Sequence, residues 1–143
     1  MARVCVDASL VIAWLLPEEL SDKAFALKTR WDGQHVELIA PSLVAFEVPS
    51  TLRQAVYRGR IPMGEAEEAF AAFLQMPIRI TQPENLLSRA WEIGKAVNAP
   101  RPYDAFYVGL ADIEGCELWT ADRRLANLVQ LRFPHVRWLG ETP

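Results

Sequence analysis

Short β-branched or apolar runs recur along this chain, each followed by a stretch patterned for a helix, and nothing else in it restricts the fold as strongly. The strand candidates are Arg3–Asp7 (RVCVD), Val36–Ala40, Ile78–Thr81 and Glu117–Thr120, with Val136–Leu139 as a last edge strand. Strands this short, alternating with helices, need crossover connections, and crossovers build parallel sheets covered on both faces. The expected fold is therefore α/β, a three-layer α/β/α sandwich around a central parallel sheet of four to five short strands. A chain of 143 residues is one domain's worth and can bury roughly 68–70% of its unfolded surface. No repeat, linker or low-complexity tract divides it, so residues 1–143 read as a single domain.

The helices are bounded by local signals. Leu10–Leu16 is closed by Pro17. Ser21 is placed to cap a helix that runs through Trp31 and stops at Asp32-Gly33. An apolar pattern from Ser42 reaches the Arg58-Gly59-Arg60 break, and Pro49 inside it should kink or interrupt that helix. Further helices span Gly64–Gln75, Glu84–Val97, Tyr103–Ile113 and Asp122–Gln130. The one over Tyr103–Ile113 is apolar on nearly every side, which implies neighbours on more than one face.

Apolar residues make up 51% and charged residues 23% of the chain, the reverse of a disordered composition. The longest apolar run, Leu10–Leu16, falls well short of the roughly 20 residues of a membrane helix, and Asp7 interrupts the place where a signal peptide builds its apolar stretch. A cytoplasmic protein that does not enter the membrane is expected. Cys5 and Cys116 lie in strand-like contexts without CxxC spacing and read as reduced core residues. The net charge of −3 supplies no general attraction for nucleic acid, so such binding would need a local patch.

Only six aspartates occur, and Asp7, Asp104 and Asp122 stand beside apolar stretches rather than on polar helix faces. Carboxylates in such places need a reason, because they are rarely buried unpaired. Asp7 ends the first strand and Asp122 follows the fourth (LWTAD), so in a parallel sheet both reach the carboxyl edge, where open α/β folds keep their sites. Glu47 sits among Leu43, Phe46 and Val48 in a segment that otherwise looks like packing. Singly, each aspartate is explained as a helix cap or as a complement to a helix N-terminus, and Glu47 as a solvated helix position. Together they need four separate explanations, whereas one site covers all four. Converging carboxylates repel unless a cation neutralises them, and hard oxygen ligands suit Mg²⁺ or Mn²⁺.

The order VDAS at Asp7, FE at Glu47, YDA at Asp104 and TAD at Asp122 resembles the PIN domain, specifically the VapC-type toxin ribonucleases of toxin–antitoxin pairs. The resemblance spans essentially the whole chain and lies in order and context rather than in one motif. It implies that Asp7, Glu47, Asp104 and Asp122 are a catalytic, metal-binding quartet, supported by the hydroxyls of Ser9 and Thr120. It also implies an RNA substrate, a cognate antitoxin and a homodimer. The chain departs from relatives after Glu47, where Val48-Pro49-Ser50 replaces the usual small or amide residue. It departs again after Asp122, where Arg123-Arg124-Leu125 stands in place of a further polar or acidic group.

Metal-bound carboxylate clusters favour hydrolysis of phosphodiesters by water, with no covalent nucleophile. The two histidines, His35 and His135, sit 100 residues apart in loops and make a poor acid–base pair. No GxGxxG or GxxxxGK cradle is present. Ser9 occupies the place where a haloacid-dehalogenase-like site needs a second aspartate, and no late-strand lysine supports a phospho-acceptor domain. Arg53, Arg58 and Arg60 follow Glu47, while Arg101, Arg123 and Arg124 flank Asp104 and Asp122; these are the candidates for gripping RNA phosphates. An apolar surplus around Trp14, Leu20 and Phe25 is the candidate antitoxin groove. The rival to an enzyme is a catalytically silent PIN-like module that binds RNA or protein.

Overall fold

The computed structural model describes residues 2–143. Their chain order is β1 (Arg3–Val6), α1 (Ala8–Leu15), α2 (Ser21–Gly33), β2 (Glu37–Ala40), α3 (Val44–Tyr57), α4 (Met63–Gln75) and β3 (Ile78–Ile80). Then follow α5 (Leu86–Ala96), α6 (Tyr103–Glu114), β4 (Glu117–Thr120), α7 (Arg123–Val129), β5 (Val136–Trp138) and a 3₁₀ turn at Leu139–Glu141. The five strands form one sheet in the order β3-β2-β1-β4-β5, and every pairing is parallel. Right-handed crossovers then put α1 to α4 on one face and α5 to α7 on the other. The packing follows: α1 rests on α2, α3 and α4, and α5 on α6.

Beyond their first residues the central strands β1 and β4 are buried because both faces are covered; Cys5, Val6, Leu118 and Thr120 are fully buried. After β1 the chain turns toward β2 and after β4 toward β5, so the sheet's topological switch lies between these two neighbours. A crevice opens there at the carboxyl edge.

Two local expectations are corrected. Pro49 does not interrupt α3, which is continuous across it. The carbonyl that Pro49 cannot bond belongs to Ala45, an exposed residue, where water can take the hydrogen bond. Ser21 is the first residue of α2 rather than its cap. Its buried hydroxyl instead accepts from the Glu18 amide at 2.8 Å and donates to the Leu16 carbonyl at 2.9 Å, closing the α1–α2 turn.

Candidate active site

Asp7 is the residue immediately beyond β1 and the N-cap of α1. Its Oδ1 accepts from the Leu10 amide at 3.0 Å and the Ser9 hydroxyl at 2.7 Å; its Oδ2 accepts from Thr120 Oγ1 at 2.6 Å. Capping and site placement are thus the same fact, since the strand-to-helix turn that requires a cap also lies at the switch point. Ser9 Oγ accepts from the Ala121 amide at 3.0 Å and Thr120 Oγ1 from the Asp122 amide at 2.9 Å. The two hydroxyls stitch the end of β1 to the end of β4. Asp122 caps α7 through the amides of Arg124 and Leu125, at 2.9 and 3.3 Å.

Glu47 lies in the first turn of α3, Asp104 in that of α6, and one cavity of about 490 Å³ is lined by Asp7, Glu47, Asp104 and Asp122 together. Burial pushes the Asp7 carboxyl up to about 6, prevailing over its three hydrogen bonds, and the charge of Asp104 adds to the rise. Glu47 is raised for the same reasons: burial foremost, then Asp104, against the hydrogen bond that Tyr107 donates. Excess negative charge therefore marks the cavity. The cation present is Arg124, whose guanidinium reaches Asp104 at 2.8 Å and Asp122 at 3.2 Å.

Oxygen donors in this number fit a hard divalent cation. In the present side-chain arrangement no three acidic, histidine or cysteine side chains among the described residues close around one point. In this arrangement the exposed Arg124 guanidinium occupies one oxygen each of Asp104 and Asp122.

Tyr107 escaped the sequence reading. It is buried at 1% exposure, three residues after Asp104, and its hydroxyl donates to Glu47 Oε1 at 2.5 Å. Burial and the Glu47 carboxylate both raise its pKa, so it stays a donor. A tyrosine one helical turn from a candidate ligand, inside an otherwise apolar helix, is the signal that could have found it. Glu18, Glu19 and Thr51 also line the cavity without having been singled out.

The arginines divide. Arg124 lies at the site, and Arg101 lines an adjoining cavity that shares Glu47, Asp104 and Arg124 with the first. Arg123 stacks over the Trp138 ring, 5.2 Å from its centroid. Arg58 and Arg60 lie beyond the far end of α3, where eleven residues of helix put Arg58 about 16 Å from Glu47 along the axis. Arg53 lies beside Met63, away from the carboxylates. Neither histidine lines the site cavity.

Trp14 is not part of an open groove. It is 8% exposed, packs edge-on against Trp31, and donates from Nε1 to the Ala24 carbonyl at 2.8 Å. Of the apolar surplus, Leu20 is half-buried at the rim of the site cavity and Phe25 is 49% exposed.

The chain belongs to the PIN domain family, whose model matches residues 4–131. Among its relatives, Ribonuclease VapC9 of Mycobacterium tuberculosis is 33% identical, over 92% of this chain and 94% of its own length. Ribonuclease VapC3 of Pyrobaculum aerophilum is 31% identical over 87% and 93%. Solved structures share the fold at lower identity. VapC20 of M. tuberculosis, a toxin that cleaves the sarcin–ricin loop, superposes with a TM-score of 0.64 at 19% identity, over 94% of this chain and 98% of that one. A chain of the Rickettsia felis VapBC2 structure, bound to a DNA fragment from its promoter, gives 0.68 at 11%, over 95% and 96%.

Proposed function

We propose that this protein is a metal-dependent endoribonuclease, the toxin half of a VapBC-type pair, acting in the cytoplasm on RNA and held in check by a cognate antitoxin. The observation that carries the proposal is the assembly of Asp7, Glu47, Asp104 and Asp122 around one cavity at the β1–β4 switch point. Its relatives are ribonucleases over nearly their whole length, and no helix among the described residues is long and apolar enough to cross a membrane.

Asp7, Asp104 and Asp122 would hold Mg²⁺ or Mn²⁺, with Glu47 completing the set. A divalent ion so held lowers the pKa of bound water and stabilises charge growing on a phosphate. The chain's own part is to keep the ligands aimed. Ser9 and Thr120 hold both oxygens of Asp7, the α7 amides hold Asp122, and Tyr107 holds Glu47. Arg124, released from Asp104 and Asp122, is positioned to meet a phosphate oxygen of the substrate. Neither histidine lines the cavity, so none is at hand to recruit the 2′-hydroxyl of RNA.

Attack by water in line with the departing 3′-oxygen leaves 5′-phosphate and 3′-hydroxyl ends. Purified protein should cut labelled RNA with Mn²⁺ or Mg²⁺, lose that activity in EDTA, and tolerate 2′-O-methylation at the cut. Cyclic phosphate ends, or full activity in EDTA, would overturn the mechanism. Binding of RNA without any cleavage, at every metal tried, would favour the silent module instead.

A further inference from the structure

The two cavities that meet at Glu47, Asp104 and Arg124 differ in chemistry beyond those shared residues. The first adds Asp7, Asp122, Glu18 and Glu19 and no further cation. The second, of about 460 Å³, adds Arg101, Tyr103 and Leu128 and no further acid. The first chamber sets six acids against Arg124 alone, so a polyanion lying across the site is repelled there except at Arg124 or a bound cation. In the second, two arginines offset the two acids and that repulsion is lifted.

The second chamber also has the shape of a grip. Tyr103 opens α6 directly before Asp104 and is 48% exposed. Arg101 is exposed and, unlike Arg124, makes no ion pair among the described residues. Pro100 and Pro102 flank it, so its backbone has few conformations to lose when the guanidinium engages a ligand. A free guanidinium and an open aromatic face side by side match the two halves of a nucleotide, phosphate and base.

We propose that the Arg101–Tyr103 chamber is a nucleotide subsite. It takes the unpaired nucleotide next to the scissile phosphate, with its phosphate on Arg101 and its base stacked on Tyr103. The inference rests on the ribonuclease reading of the carboxylate site and adds what that reading lacks: the residues that seat the neighbouring nucleotide and the side on which the strand leaves the site. Because every base has a stacking face, the subsite selects for an unpaired base rather than for sequence.

The test is binding of a short single-stranded RNA, followed by fluorescence anisotropy, to Asp7→Asn protein, which keeps a good cap on α1 and cannot cut. Tyr103→Ala in that background should weaken binding about tenfold or more, the scale of a lost base–aromatic stack, while Tyr103→Phe and Tyr103→Trp hold the parent's affinity. Arg101→Ala should flatten the slope of log affinity against log salt by about 0.7, the share of one phosphate on a single strand. A blunt duplex of the same sequence should not distinguish Tyr103 from alanine. Equal binding by the parent and Tyr103→Ala, or equal losses in Ala, Phe and Trp, overturns the subsite; if the wild type still cuts RNA, the ribonuclease reading survives. A wild-type protein that neither cuts nor binds RNA overturns both.

Discussion

The two ends of the sheet carry similar numbers of charged side chains and treat them in opposite ways. At the amino edge Glu114 pairs with Arg3 at 3.4 Å, Glu37 with Arg79 at 3.3 Å and Glu117 with Arg137 at 3.6 Å, each acid with its own guanidinium. At the carboxyl edge four acids share a cavity with Arg124, which serves two of them. Both edges belong to the same strands, so strand sequence and sheet packing do not account for the difference. One-to-one pairing at a wet surface is what solubility asks for and is worth little in stability. Crowded acids raise each other's proton affinity, and a fold keeps such an arrangement where a ligand will complete it.

The sharpest way to break that comparison is Asp7→Asn. Partners of metal ligands already cost about 10- to 100-fold when removed, so loss of the ligand itself should lower RNA cleavage by about 100-fold or more in a steady-state assay, with the fold intact. The same variant tests the charge argument through pH. Because burial holds the Asp7 carboxyl near 6, the folded chain keeps a proton that the unfolded chain releases near its ordinary value. Stability in EDTA should therefore be greatest below about pH 4 and fall as pH rises through 6, by on the order of 3 kcal/mol from this group. Denaturant titrations should show that fall in the wild type and not in Asp7→Asn. An identical pH profile in the two would remove the case for a strained carboxylate.

Adding a divalent cation should act on one edge only. Mn²⁺ at about a hundred times its dissociation constant raises stability by about 2.7 kcal/mol if it binds the folded state alone, and calorimetry should show the shift in wild type and not in Asp7→Asn. Tyr107→Phe sharpens the contrast further, since it leaves the cavity's charge unchanged and removes only the donor to Glu47. Mn²⁺ affinity by titration calorimetry should fall about tenfold, with the melting temperature in EDTA little changed. The smallest effect belongs to the amino edge: Arg3→Gln should cost under about 1 kcal/mol and leave RNA cleavage untouched.

How much of this was legible before the fold was known follows from what kind of contact each residue makes. The parallel sheet, Asp7 and Asp122 could be read because a strand, its end and the next helix's cap are all local in sequence. Glu47 and Asp104 needed the pattern of the whole chain, being brought in by helices from opposite faces. Tyr107 was hidden because its apolar neighbours on α6 explain its burial without mention of its hydroxyl. Trp14 was misread for the same reason in reverse: its apolar bulk suggested a surface patch, while its indole N–H is satisfied by Ala24, a contact made only once α2 folds back on α1. The Arg53–Arg60 cluster follows Glu47 closely in sequence, yet α3 carries Arg58 and Arg60 to its far end.

The bonds from Thr120 to Asp7 and from Ala121 to Ser9 join parts of the chain 113 and 112 residues apart. A ribosome extends a chain from its N-terminus, and domains emerge in that order. Until β4 has cleared the exit tunnel and slipped in beside β1, Asp7 has lost neither water nor its freedom to turn, and Asp122 does not yet exist as a neighbour. An arrangement that needs β1 and β4 side by side therefore cannot form while only the first hundred residues have been made. The carboxyl-edge cavity is thus a late product of folding, set by the pairing of the first strand with the fourth.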